Sequence, residues 1–166
     1  MPRTIDLVNA EHGQYLLRKI LSETQAGTVV GLLGLSYKPG TPVIERSFGI
    51  DLALWLAAEG RNVIAWDPLA AGEARKVLGE GIIYAPSAEE CLSKSSVAIV
   101  INPMKEFAAI DWSAAAKTRI LDPWRCLAAA AIDKIGRYIP LGQGNDRCIR
   151  EWFSGGLKER MRLLNG

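Results

Sequence analysis

The stretch from Val29 to Asp67 constrains the fold of this chain more than any other. Thr28 to Leu35 is a continuous apolar run with two valines, the pattern of a strand covered on both faces. A loop follows, Ser36 to Ile44, carrying Pro39, Gly40 and Pro42. Ser47 is a good N-cap for a helix reaching Glu59, and Gly60 is a good stop. Asn62 to Trp66 reads as a second short strand, broken by Asp67-Pro68. Strand, glycine turn, amphipathic helix and strand make the β-turn-α-β unit of nucleotide-binding sheets.

The remaining segments continue the alternation. Ile5 to Glu23 reads as a helix, with Leu7, Ala10, Gln14, Leu17 and Leu21 near one face and Leu16 and Ile20 widening it. Ala70 to Leu78 is a helix closed by Gly79, and Gly81 to Ala85 is a short strand. Ser87 with Glu90 forms a capping box for a helix over Ala88 to Ser93. Val97 to Ile101 is a buried strand, and Met104 to Phe107 and Trp112 to Ala116 are short helical pieces. Arg119 to Leu121 is a strand ending at Asp122-Pro123, and Arg137 to Ile139 is a last edge strand. The stretch Ala128 to Ile132 carries no decisive pattern, and Asp146 to Leu164 reads as mostly helical. Strands alternating with helices over short links require parallel pairing with crossovers. The expected fold is α/β, a three-layer Rossmann-like, doubly wound, mostly parallel sheet of five or six strands. The expected organisation is a helix at 1–27, the sheet domain at 28–145 and a helical tail at 146–166.

Bulk properties exclude several classes. The 166 residues suffice for one ordinary domain, and 49% of them are apolar, which argues against global disorder. Twenty basic and 18 acidic residues leave a net charge of +2, with no concentrated basic face to call for nucleic acid. No apolar run approaches a membrane span, and the N-terminus lacks the apolar stretch of a secretory signal. Cys91, Cys126 and Cys148 do not build a disulfide framework, so a reducing cytoplasm is the expected setting. His12 is the single histidine and no close cysteine pair exists, so no metal site is expected.

The turn after the first strand holds the candidate chemistry. Ligands of doubly wound sheets bind outside the carboxyl ends of the strands. Gly34 stands at that end, followed by Tyr37, Lys38, Pro39 and Gly40. Glycine lets backbone approach a phosphate, and lysine supplies a point charge. Lys38 alone is equally a solvated loop lysine. Gly31 and Gly34 lack the spacing of the dinucleotide fingerprint, and no third glycine is read at the helix start, so NAD binding by this turn is weakly supported. Asp67 stands where a ribose-binding carboxylate would be, or caps the next turn. Trp124 reads as core or interface packing. Cys91 reads as core, and Cys126, beside Arg125, is expected to have a lowered thiol pKa if the positive charge dominates. His12 and the basic tail residues Arg147, Arg150, Lys158, Arg160 and Arg162 read as solvated helix surface.

GLSYKPGTPVIERSFGIDLALWLAAEGRNVIAWDP resembles the C-terminal domain of the UDP-glucose/GDP-mannose 6-dehydrogenase family. Gly34, Leu35, Tyr37, Lys38, Pro39, Thr41, Ser47, Gly60, Asp67 and Pro68 match the family pattern in order. VNAEHGQYLLRKIL is similar to the end of the helix joining the two halves of such enzymes, and RILDPWRCL to the strand whose Asp-x-x-Arg end faces the nucleotide. Pro42 and Val43 replace two family aspartates, and Glu45-Arg46 reverses the usual order. The resemblance implies a domain that holds the UDP part of a sugar nucleotide. Gly34, Tyr37, Lys38, Thr41 and Arg125 are then the binding residues, with Arg125 on the phosphates in place of a surface ion pair with Asp122.

The family oxidises a C6 alcohol to a carboxylate with NAD, using a cysteine and a lysine upstream of the connecting helix. The chain is therefore expected to bind no NAD and to be inactive alone. The implied partners are a UDP-sugar and either a second copy, through the N-terminal helix, or a separate N-terminal dehydrogenase half. The competing readings are a ligand-free dimerisation module and a stand-alone NAD-binding domain.

Overall fold

The structure is a computed structural model that describes the backbone of residues 2–141 and side chains from Gly13 to Leu141. Its elements follow the expected order. They are α1 (Pro2–Glu23), β1 (Val29–Leu33), α2 (Phe48–Ala58), β2 (Asn62–Trp66), α3 (Ala71–Leu78), β3 (Ile83–Tyr84), α4 (Ala88–Lys94), β4 (Val97–Val100), β5 (Arg119–Asp122), α5 (Ala129–Ile132) and β6 (Arg137–Pro140). Two 3-10 turns, Lys105–Ala108 and Trp112–Ala115, lie between β4 and β5. The tail at 146–166, Cys148 and the His12 side chain lie outside the described residues.

The sheet order is β3-β2-β1-β4-β5-β6, and every pairing is parallel. Period-2 alternation divides the core between two faces. Val30, Leu32, Val63, Ala65, Val97, Ile99 and Leu121 join α1, α2 and α3 in one cluster. Leu33, Ile64, Ala98, Val100 and Ile120 join α4 and the segments after β4 in the other. This is the expected three-layer α/β arrangement.

The helix starts are set locally. Ser47 accepts from the Gly49 N–H at 3.1 Å and Ser87 from the Glu90 N–H at 3.1 Å, each filling an orphan donor. Helix α1 packs on α2 at Gly13, where a Cβ would stand 2.9 Å from the Phe48 ring. Its described buried residues are Gly13, Leu16, Leu17 and Ile20, whereas Gln14, expected on that face, is exposed. The face is rotated toward residues 13, 16, 17 and 20 because α2 supplies aromatic cover on that side. The end of α1 is held by strand starts: Arg119 donates to the Glu23 carboxylate at 3.0 Å and to its carbonyl at 2.8 Å. Arg61 donates to the Thr24 carbonyl at 2.9 Å. Among the described residues no helix is long and apolar enough to cross a membrane.

Candidate functional site at the carboxyl edge

Because all strands are parallel, their carboxyl ends share one edge. The order of connection reverses between β1 and β4, and loops after β1, β4 and β5 meet there. This is where open α/β sheets take their ligands.

The loop after β1 is tied at its base. Gly34 has φ 114, a conformation that suits glycine, and its N–H donates to the Trp66 carbonyl at 2.8 Å. The Leu35 and Ser36 N–H groups donate to Asp67 Oδ2 at 2.8 and 3.0 Å. Asn102, at the end of β4, donates from Nδ2 to the Ser36 carbonyl at 2.7 Å. Ser47 Oγ donates to the Leu35 carbonyl at 2.7 Å. Farther out the loop closes on itself, with the Tyr37 N–H on the Val43 carbonyl at 2.7 Å. The Val43 N–H reaches Thr41 Oγ1 at 3.2 Å, so the Thr41 hydroxyl shapes the loop. Tyr37, 56% exposed, and Lys38 stand in solvent on this fixed base.

The loop after β5 is wrapped around a carboxylate. Asp122 is fully buried. Its oxygens accept from the N–H groups of Trp124 at 3.0 Å, Cys126 at 2.9 Å and Leu127 at 3.3 Å, and from the Tyr138 hydroxyl at 2.9 Å. Burial, reinforced by that carboxylate, pushes the Tyr138 phenol well above the ordinary tyrosine range. Arg125 lies in the middle of the wrap, exposed, at φ 52. Trp124 donates from Nε1 to the Ile101 carbonyl at 2.8 Å, which lays it across the end of β4.

The residues expected from sequence therefore divide. Gly34, Lys38, Tyr37 and Arg125 share the carboxyl edge, on loops from β1 and β5. Among the described residues no carboxylate lies within ion-pair distance of Lys38 or Arg125. The Arg125–Asp122 ion pair is absent because Asp122 is engaged by its own loop. Asp67 is a cap: its second oxygen accepts from the Leu69 and Ala70 N–H groups at 2.9 and 2.8 Å. With four backbone donors on two oxygens, that carboxylate has no lone-pair site left for a ribose hydroxyl.

Three expectations change. Trp124 is 56% exposed, so it is not a core residue. Cys126 has its thiol pushed up to about 11, not lowered; partial burial is the larger cause and the Asp122 carboxylate adds to it. Cys91, by contrast, is buried in the core as expected, and burial pushes its thiol up to about 12. Finally, a glycine does open α2. A Cβ at Gly49 would stand 2.9 Å from the Gly34 carbonyl oxygen and 3.1 Å from the Leu35 Cα. Gly49, two residues after the Ser47 cap, was the available signal for this close approach.

Comparison with known proteins bears on this site. Residues 31–129 match the model of the UDP-glucose/GDP-mannose dehydrogenase family, UDP binding domain. A UDP-glucose 6-dehydrogenase of Rickettsia bellii is 32% identical over 143 residues, which cover 81% of this chain and 33% of that protein. The UDP-glucose 6-dehydrogenase AglM of Haloferax volcanii is 39% identical over 85 residues, 51% of this chain and 20% of that one. The UDP-glucose dehydrogenase structure from Pyrobaculum islandicum superposes with a TM-score of 0.71 at 23% identity, over 82% of this chain and 31% of that one. The chain thus spans at most about a third of the length of these relatives.

Proposed function

Since this chain belongs to the UDP-glucose/GDP-mannose dehydrogenase family and carries its UDP binding domain, we propose that the carboxyl edge of its sheet holds the nucleoside diphosphate of a sugar nucleotide. Lys38 and Arg125 meet the diphosphate from opposite sides of β4. Lysine contributes a compact charge and arginine a fork of donors. Gly34 lets the backbone come close, Tyr37 packs beside the nucleotide sugar, and Thr41 holds the loop that presents Lys38. The observation that carries this reading is that two exposed cations without carboxylate partners among the described residues, Lys38 and Arg125, share the carboxyl edge, each on a loop fixed by buried hydrogen bonds.

In a complete assembly of this family, we assign the chain the substrate-holding part of an NAD-dependent oxidation of a sugar C6 alcohol. NAD does not fit the described residues. The carboxylate that would hold its ribose is consumed by backbone donors, and the β1 turn lacks the dinucleotide spacing. Neither described cysteine suits nucleophilic attack, since both thiols are raised. Two free thiols in the described part fit the reducing cytoplasm as its setting. The partners proposed with this role are a separate N-terminal dehydrogenase half, which would supply the NAD site and the nucleophile, or a second copy docked through α1. The purely assembly-based reading is weakened because Leu16, Leu17 and Ile20 are buried in the chain's own core.

Titration calorimetry of the purified chain with UDP, GDP and their sugars tests the proposal. Binding of a uridine ligand, weakened by about 1–3 kcal/mol in Lys38→Ala, is the expected result. No heat with any of these ligands overturns it, and an unchanged Lys38→Ala affinity removes Lys38 from the site.

A further inference from the structure

Trp124 has an unusual combination of properties. Its ring is 56% exposed, yet both ends of the residue are fixed: the backbone N–H on Asp122 Oδ1 at 3.0 Å and the indole N–H on the Ile101 carbonyl at 2.8 Å. The strand it crosses, β4, lies between β1, which carries the Lys38 loop, and β5, which carries Arg125. An exposed tryptophan on a mobile loop would be an ordinary surface residue. Here the indole satisfies its polar atom internally and leaves apolar ring surface at the switch point of the sheet. Ordering such a ring costs a ligand little, because it is already immobilised.

We propose that Trp124 is a stacking platform for a ring attached to the diphosphate. This rests on the nucleotide-binding reading above and extends it to a residue that sequence patterning assigned to packing. A nucleobase and a hexose both present a face of the required kind, and the platform is defined by that shared chemistry. Stacking on an aromatic side chain needs no directional hydrogen bond, so it tolerates different rings. The adjacent Arg125, held at φ 52, places a positive charge next in the chain to the platform.

The test compares Trp124→Ala and Trp124→Phe with the unaltered chain, by calorimetry, against UDP, UDP-glucose and inorganic pyrophosphate. The platform predicts that Trp124→Ala loses roughly tenfold or more in affinity for a ring-bearing ligand while pyrophosphate binding is unchanged. Equal losses for UDP and UDP-glucose identify the base as the stacked ring. A loss for UDP-glucose alone identifies the hexose. Trp124→Phe, which keeps a ring but lacks the bond to Ile101, retains most of the affinity. The inference is overturned if Trp124→Ala binds all three ligands normally. It is also overturned if pyrophosphate binding falls in parallel, since that means a collapsed loop. If the unaltered chain binds none of the three, the nucleotide reading itself has failed and the platform falls with it.

Discussion

Gly49 in the first turn of α2 lies against the Gly34 carbonyl so closely that a Cβ would come within 2.9 Å of the oxygen. The obstacle is backbone, which has no rotamer through which to retreat. Gly49→Ala is therefore expected to destabilise the fold by about 1–3 kcal/mol, despite the better helix propensity of alanine. Urea unfolding followed by circular dichroism measures this. A midpoint equal to that of the unaltered chain means α2 can move off the strand freely.

Asp67 joins the β1 loop to the start of α3 through four backbone N–H donors. Asp67→Asn keeps one acceptor and turns an amide NH2 toward two of those donors. The expected loss is about 2–4 kcal/mol of folding stability, since buried donors are left facing a donor. The same unfolding experiment reads it, and a loss below about 0.5 kcal/mol is incompatible with the role given to this carboxylate.

Arg125 separates strain from function. A non-glycine residue at φ 52 carries a conformational cost on the order of 1 kcal/mol. Arg125→Gly relieves it, offset in part by the larger backbone entropy of glycine. The expected outcome is stability unchanged or raised by up to about 1 kcal/mol, together with weaker UDP binding. Thermal melts and calorimetry on one sample report the two effects. Weaker binding with a lower melting temperature would mean that the side chain supports the fold.

Alkaline pH should weaken the structure at Cys126. Its thiol stands at about 11, above the ordinary 9.0, so folding favours the protonated form. Between those values the unfolded chain binds fewer protons than the folded one, and stability falls as pH rises through that window. Tyr138 is raised too and acts in the same direction above the ordinary 10.0. Denaturation midpoints measured from about pH 8 to about pH 11 should decline, and less steeply in Cys126→Ser. Iodoacetamide labelling near pH 8, followed by peptide mapping, should find Cys126 slower than a free model thiol, because little thiolate is present. Fast labelling contradicts the direction of the shift.

The parts of this molecule governed by neighbours in sequence were legible there. Ser47 and Ser87 cap the helices their positions announced, and the period-2 faces of β1 and β4 divide the core as their apolar runs implied. Lys38 was read from its place after the first strand and Arg125 from a resemblance, and the parallel sheet brings both to one edge because its strand ends coincide there. Other properties belonged to pairs far apart in sequence. Gly49 matters because α2 returns onto Gly34 across a long loop. Trp124 is held at the surface by a carbonyl on another strand. Cys126 invited a reading from its neighbour Arg125, but the chain folds back onto Asp122, and the carboxylate together with burial sets the sign.

The hydrogen bond from the Tyr37 amide to the Val43 carbonyl makes the tip of the β1 loop a self-contained cassette. Everything that anchors it, from Asn102 to Asp67 and Ser47, lies outside the ring it closes. Such a module can exchange its outward side chains without renegotiating the core. The proline and valine at 42 and 43 sit within this exchangeable insert, so substitutions there can alter the face the loop turns to solvent while the sheet beneath it stays as it was.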